Sequence, residues 1–248
     1  MPALSSRRAG WLLHGLKSRG IGASVKIRTR EAAALVGSLY LLIRLGRRSG
    51  ATRDEAKARL TGDELVANPM WQSTRAITID APPDDVWPWI VQMGFPSYRA
   101  GWYTAHWLDR LTFGIKHASA DEIRPELQQL KPSDRIPDSQ DWSVYFTVAE
   151  VDPPRALILY STRHVMKPIR SADFSWAFIL RRREEDQTQL IVRARVRYKP
   201  RWAMPFVEFV IGAGDYVNAE AILHGIKDRA ERAQRWRTAS HLRSTPAA

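Results

Sequence analysis

The stretch TQLIVRARVRYKP, residues 188–200, alternates apolar and basic side chains almost without a break. In an extended chain Leu190, Val192, Ala194, Val196 and Tyr198 share one side, and Arg193, Arg195, Arg197 and Lys199 share the other. A helix would scatter both sets around its axis, so the period of two requires a strand with an apolar face turned to a core. The opposite, basic face is expected to meet water rather than to grip phosphates, as in antiparallel sheets with one wet side. Other segments carry the same period. Thr74–Asp80 places Arg75, Ile77 and Ile79 together, and DFSWAFILRRR does so for Phe174, Trp176, Phe178 and Leu180. Trp142–Val151 reads as a further strand that turns at Asp152-Pro153-Pro154, where neither proline can donate to a ladder, and returns as Ala156–Ser161. The strands follow one another in hairpin order, which predicts an antiparallel sheet.

Two segments read as helices. TIDAPPDDVWPWIVQMG, Thr78–Gly94, leaves a strand through Pro82 and Pro83 and starts a helix with Asp84 and Asp85 at its positive end. Val86, Ile90 and Met93 form its inward stripe with Trp89 beside them, and Pro88 kinks or shortens it. From Phe206 to about Arg235, apolar residues recur at steps of three and four, predicting a long closing helix. Gly212, Gly214 and Gly225 thin that helix, for close contact or to leave room for something else.

Charge is distributed unevenly. Residues 1–60 hold 13 Lys/Arg against 3 Asp/Glu, residues 61–226 hold 19 against 21, and residues 227–248 hold 6 against 2. The body is near neutral, and the leader has no aromatic interleaving, so no specific nucleic-acid partner is expected. Ser6-Arg7-Arg8 lacks the apolar run and cleavage site of an export signal, which points to a cytoplasmic protein. Ala32–Ile43 is uncharged and flanked by Lys and Arg, but too short to span a bilayer. Residues 26–48 suit an interfacial helix on an anionic membrane surface, peripheral at the inner membrane, and equally a helix packed on the domain. Thr52 and Glu55 form a capping box for a short helix ahead of the Thr61-Gly62 break. The expected organisation is a basic leader over 1–60, a domain over 61–235 and a basic tail over 236–248.

Three stretches, AITIDAPPDDVWPWI, FTVAEVDPPRALIL and the closing helix with GIKDRAE, resemble the START-like (SRPBCC) superfamily. GWYTAHWLDRL and LQQLKPSDRIP are similar to its bacterial polyketide cyclase/dehydrase-like subset. The resemblance covers residues 61–235. It implies an α+β helix-grip fold, a curved antiparallel sheet wrapped around the long C-terminal helix, with residues 1–60 as an N-terminal helical extension. It also implies a hydrophobic small-molecule ligand, a lipid or an aromatic or polyketide-like metabolite, or else cyclase/dehydrase chemistry.

The residues carry no stronger catalytic signature. Without cysteine there is no thiolate metal site and no cysteine nucleophile, and no His pair has metal-ligand spacing on one element, so neither metal nor cofactor is expected. Within RAGWYTAHWLDRL, a helix would bring Tyr103, His106 and Asp109 to one face as general acid/base groups for a cyclase/dehydrase. The competing reading is a cavity under the helix lined by Trp107, Phe146, Trp176, Phe178, Val196, Tyr198 and Tyr216. Covering about 300 Å² of ligand hydrocarbon there contributes on the order of 7 kcal/mol before association losses.

Overall fold

A computed structural model of the chain describes residues 34, 37, 38, 40, 41, 44–104, 110, 117–165 and 171–244. Within the last helix, side chains are described at 212 and 215–240. The chain divides into two units, Met1–Gly37 and Ser38–Ala248, and the second holds every element below.

Six strands form one antiparallel sheet: β1 (Trp71–Ile79), β2 (Arg135–Pro137), β3 (Tyr145–Asp152), β4 (Ala156–Ser161), β5 (Ser171–Glu184) and β6 (Gln187–Lys199). Their spatial order is β1-β6-β5-β4-β3-β2, so β2 to β6 run as a meander and β1 joins at the far side of β6. The helices are α1 (Arg53–Lys57), α2 (Pro83–Val91) and α3 (Met204–Ser244). The α2 helix begins at Pro83 after an extended Pro82, and carries Pro88 inside. One core joins Ile79, Leu157, Leu159, Phe178, Leu180, Leu190 and Val192 of the sheet to Val86, Trp89 and Ile90 of α2 and to Ile222, Leu223 and Ile226 of α3. Lys227 Nζ donates to Thr78 O (2.6 Å) and Glu231 Oε1 accepts from Asp80 N (3.0 Å), which pins α3 at the end of β1. This is the helix-grip arrangement, as the START-like resemblance implies. The long helix exceeds the expected span at both ends.

The other face of the sheet departs from expectation. Arg193 is 2% exposed, and all five of its N–H groups are used. Its Nε donates to Thr74 Oγ1 (3.0 Å), Nη1 to Asp63 Oδ2 (2.8 Å) and Ala58 O (2.7 Å), and Nη2 to Glu55 O (2.8 Å) and Ala56 O (3.1 Å). Arg195 reaches Asp63 Oδ1 (2.8 Å) and the Val66 and Ala67 carbonyls (both 3.1 Å). The basic face is therefore not a solvated one along its length. It binds the end of α1 and the Asp63–Val66 3₁₀ turn, whose free carbonyls need donors. Leu60 packs on Ala76 and Ile191, and Leu65 on Ala156, Ile158 and Ala177, so residues ahead of 61 belong to the folded unit. Arg197, paired with Asp173, and Lys199 at the end of the strand keep the expected exposure.

Residues 47–49 cover the free edge of β1. Thr74 N donates to Arg47 O (2.8 Å) and Ala76 N to Ser49 O (3.0 Å). An uncovered edge would invite pairing with another chain. Gly50 turns the segment away at φ +66°, where an added Cβ would stand 1.9 Å from Ala76 O.

Arg193→Ala takes the side-chain donor from the Glu55 and Ala58 carbonyls and one of two arginines from Asp63, which keeps Arg195 and the Leu60 N–H, and should lower unfolding stability by about 3 kcal/mol. Arg197→Ala, at a half-exposed pair, should cost about 1 kcal/mol or less. Urea unfolding midpoints of the two variants check the contrast.

Candidate functional site

The alternation of β5 sets Phe174, Trp176 and Phe178 on the core side, and the β4–β5 register puts Leu159 opposite Trp176. Phe146 of β3 meets Trp176 at 5.6 Å between ring centroids and Phe174 at 5.2 Å, the latter edge-on. Trp102 closes the group at 5.4 Å from Trp176 and 6.1 Å from Phe146. Such tilted and edge-on pairs suit the ring quadrupoles. Phe146 and Phe178 are fully buried, whereas Phe174 and Trp176 stay half-buried although they face inward. The cluster thus has a closed floor and two rings with free surface.

His164 is a member that the sequence did not single out. Its ring lies 4.3 Å from Phe146 and 5.2 Å from Phe174. Nδ1 is 2.8 Å from Ser161 Oγ and Nε2 is 3.0 Å from Asp138 Oδ2. Ser161 Oγ also donates to Tyr145 O (2.7 Å). Both ring nitrogens are engaged by protein groups, so His164 ties the ends of β2, β3 and β4 together and walls the cluster. Ser161 is buried and gives its hydroxyl proton to Tyr145 O, so the Ser161–His164–Asp138 chain serves the wall. Ser161 and His164 are near in sequence, but Asp138 reaches them only through the β2–β3–β4 meander.

Tyr103 has a structural place. It has φ +60° in an irregular stretch rather than on a helix. Its hydroxyl accepts from Gln92 Nε2 (2.8 Å) and donates to Trp89 O (2.9 Å), and Arg229 covers its ring at 4.6 Å. Burial pushes its phenol pKa well up, against the pull of the Gln92 hydrogen bond and the nearby arginines. Gly225 of α3 lies against it, where a Cβ would come within 2.3 Å of Tyr103 O, so this glycine serves close contact. His106, Trp107 and Asp109, the other members of that candidate group and its neighbour, lie outside the described residues.

The remaining expected lining residues separate. Phe146, Trp176 and Phe178 come together as described. Val196 and Tyr198 join Trp71, Ala172 and Ala194 in a second cluster on the same face, which Phe174 and Trp176 also touch. Tyr216 belongs to neither cluster: it is 40% exposed, over the Arg75 guanidinium at 5.7 Å and against Gly46.

A groove of about 790 Å³ runs outside the sheet between α2 and α3, with Trp89, Ile123, Ala233 and Trp236 along it. Its charged walls pair internally, Arg229 with Asp121 (2.9 Å) and Arg237 with Asp85. Among the described residues, no three His, Asp or Glu side chains gather as a metal site, and no helix is long and apolar enough to cross a membrane.

No protein-family model matches the chain, and no curated protein matches it. Solved structures that resemble it include norcoclaurine synthase of Thalictrum flavum, a point mutant bound to a transition-state analogue, at 12% identity over 66% of this chain and 96% of that one, TM-score 0.42. A conserved protein of Geobacillus kaustophilus gives 13% identity, 66% and 97% coverage and TM-score 0.42. An aromatase/cyclase of Streptomyces sp. R1128 gives 15%, 65% and 94%, with TM-score 0.39.

Tyr103→Phe deprives Trp89 O of its donor and Gln92 of an acceptor, and should lower unfolding stability by about 1–3 kcal/mol. A variant that unfolds in urea together with the wild type would contradict the structural role.

Proposed function

We propose that the protein binds a hydrophobic small molecule between the sheet's inner face and α3. The observation that carries this reading is the pair Phe174 and Trp176, inward-facing yet only half-buried, above a floor of fully buried Phe146 and Phe178. A filled core would close over such rings, because interiors pack to crystal-like density. Apolar surface kept open on a rigid strand is preorganised, so a ligand that covers it gains burial without ordering the site. The histidine of the cluster bonds Ser161, whose buried hydroxyl is committed to Tyr145 O, so this chain supports a wall for a ligand rather than an open nucleophile.

Titration with the neutral fluorophore N-phenyl-1-naphthylamine tests this reading. The expected outcome is a micromolar dissociation constant, weakened about tenfold in Trp176→Ala by the loss of about 1.4 kcal/mol of contact. Absence of fluorophore binding, together with no apolar compound co-purifying in native mass spectrometry, would overturn it. Turnover of a linear polyketide mimic that is lost in His106→Ala would instead support the cyclase/dehydrase alternative.

A second reading concerns residues 26–48. Leu41 and Leu45 are each 57% exposed, four residues apart, with Arg44 and Arg48 exposed beside them. Apolar and basic side chains presented together suit the interface of an anionic leaflet. Full-length protein should float with phosphatidylglycerol vesicles and less with phosphatidylcholine, and the double variant Leu41→Ser, Leu45→Ser should lose flotation. Equal flotation of variant and wild type would remove this reading.

A further inference from the structure

Strand β1 places Trp71, Ser73 and Arg75 on the same inner face as Ile77 and Ile79, opposite Val196, Ala194 and Val192 of β6. Arg75 is therefore a guanidinium inside the grip, 1% exposed. Its Nε donates to Gly46 O (3.0 Å), and its Nη1 donates to Ser73 Oγ (3.1 Å) and lies 2.6 Å from Asp215 Oδ2 of α3. Tyr216 covers it from above. These contacts leave polar valences open. Arg75 Nη2 is buried with no acceptor. Glu220 Oε1 is also buried, 3.9 Å from Arg75 Nε and so beyond hydrogen-bond reach, with no donor. Trp71 Nε1, on the same strand face, is another buried donor without an acceptor. Leaving such groups unpaired is costly, and native structures rarely tolerate several together.

An open donor and an open acceptor beside one another define the complementary group. A carboxylate would satisfy Arg75 Nη2 but give Glu220 Oε1 no donor, and it would add a third acid to Asp215 and Glu220, which face Arg75 and, at Asp215, Arg47. Burial pushes the Asp215 carboxyl pKa up, against the pull of Arg75, the Ser73 hydrogen bond and Arg47. An ammonium would satisfy Glu220 but leave Nη2 unpaired and repel Arg75. A neutral hydroxyl accepts from Nη2 and donates to Oε1 with no change in charge.

Resting on the binding reading above, we propose that the Arg75–Glu220 pair is a hydroxyl-recognition site at the β1 end of the cavity. The ligand class is then a hydroxylated apolar compound, neither a fatty acid nor a bare hydrocarbon. Phe174 and Trp176 touch both inner clusters, so a ring system over them extends toward Trp71 and Tyr198.

Calorimetric titration of full-length protein with naphthalene, 2-naphthol and 2-naphthoate tests the site. The expected order has 2-naphthol about tenfold tighter than naphthalene, the worth of one net hydrogen-bonded pair, and tighter than 2-naphthoate. In Glu220→Met, which keeps the Arg75–Asp215 ion pair, the ratio of naphthalene to naphthol dissociation constants should fall to about one. Arg75→Met should do the same if its circular dichroism remains native. Tightest binding of 2-naphthoate, or a naphthol preference unchanged in Glu220→Met, would overturn the hydroxyl site and leave the cavity reading standing. Failure of all three compounds to bind would overturn the cavity reading and this one with it.

Discussion

The antiparallel pairing of β5 with β6 divides the side chains between two faces, and each face then demands a cover. A period of two over 13 residues of β6 leaves no freedom: slipping the register by one residue would send Arg193 into the core and Val192 out of it. The apolar face is covered by α2 and α3. The arginine face is covered by α1 and the 3₁₀ turn, held by Asp63 and by backbone carbonyls. Both covers follow from the same hairpin, yet they differ in chemistry. One is dry packing, and the other is a set of charge-assisted hydrogen bonds that is stable only when every donor is used.

This division also bears on the proposed ligand site. Along the inner face the aromatic side chains of β3–β5 give way at β1 to a mixed set that includes the polar Ser73 and Arg75. A cluster bounded by His164 and Trp102 gives way, through Phe174 and Trp176, to Trp71 and Tyr198 and then to Arg75 beneath α3. A ligand lying there would have an apolar body and a polar end, the usual division of labour in small-molecule sites. The strap at residues 47–49 bears on the polar end, since the adjoining Gly46 supplies a carbonyl to Arg75.

Much of this was legible in the sequence. Alternation in 188–200 and 173–183 specified the strands and their inner residues, paired prolines marked the exit from β1, and glycine in the closing helix signalled either close contact or spare room, of which Gly225 against Tyr103 is the first. Local patterns could not report partners distant in the chain. Arg193 reads as solvated until Asp63, 130 residues away, is brought to it. The helical reading of RAGWYTAHWLDRL starts from Tyr103, whose own φ of +60° reflects its contacts with Gln92, Trp89 and Gly225 rather than any pattern in the sequence. His164 carries no local signal, because what defines it is Asp138 across a meander. Periodicity encodes which face a residue takes, whereas ion pairs and hydrogen bonds between faces depend on topology.

The account stands on open aromatic surface within the grip of the sheet, and intermolecular nuclear Overhauser contacts from bound naphthalene address it directly. Contacts to the rings of Trp176 and Phe174 are predicted. Contacts confined to Trp236 and Ile123 in the outer groove between α2 and α3, with none to Trp176, would contradict it.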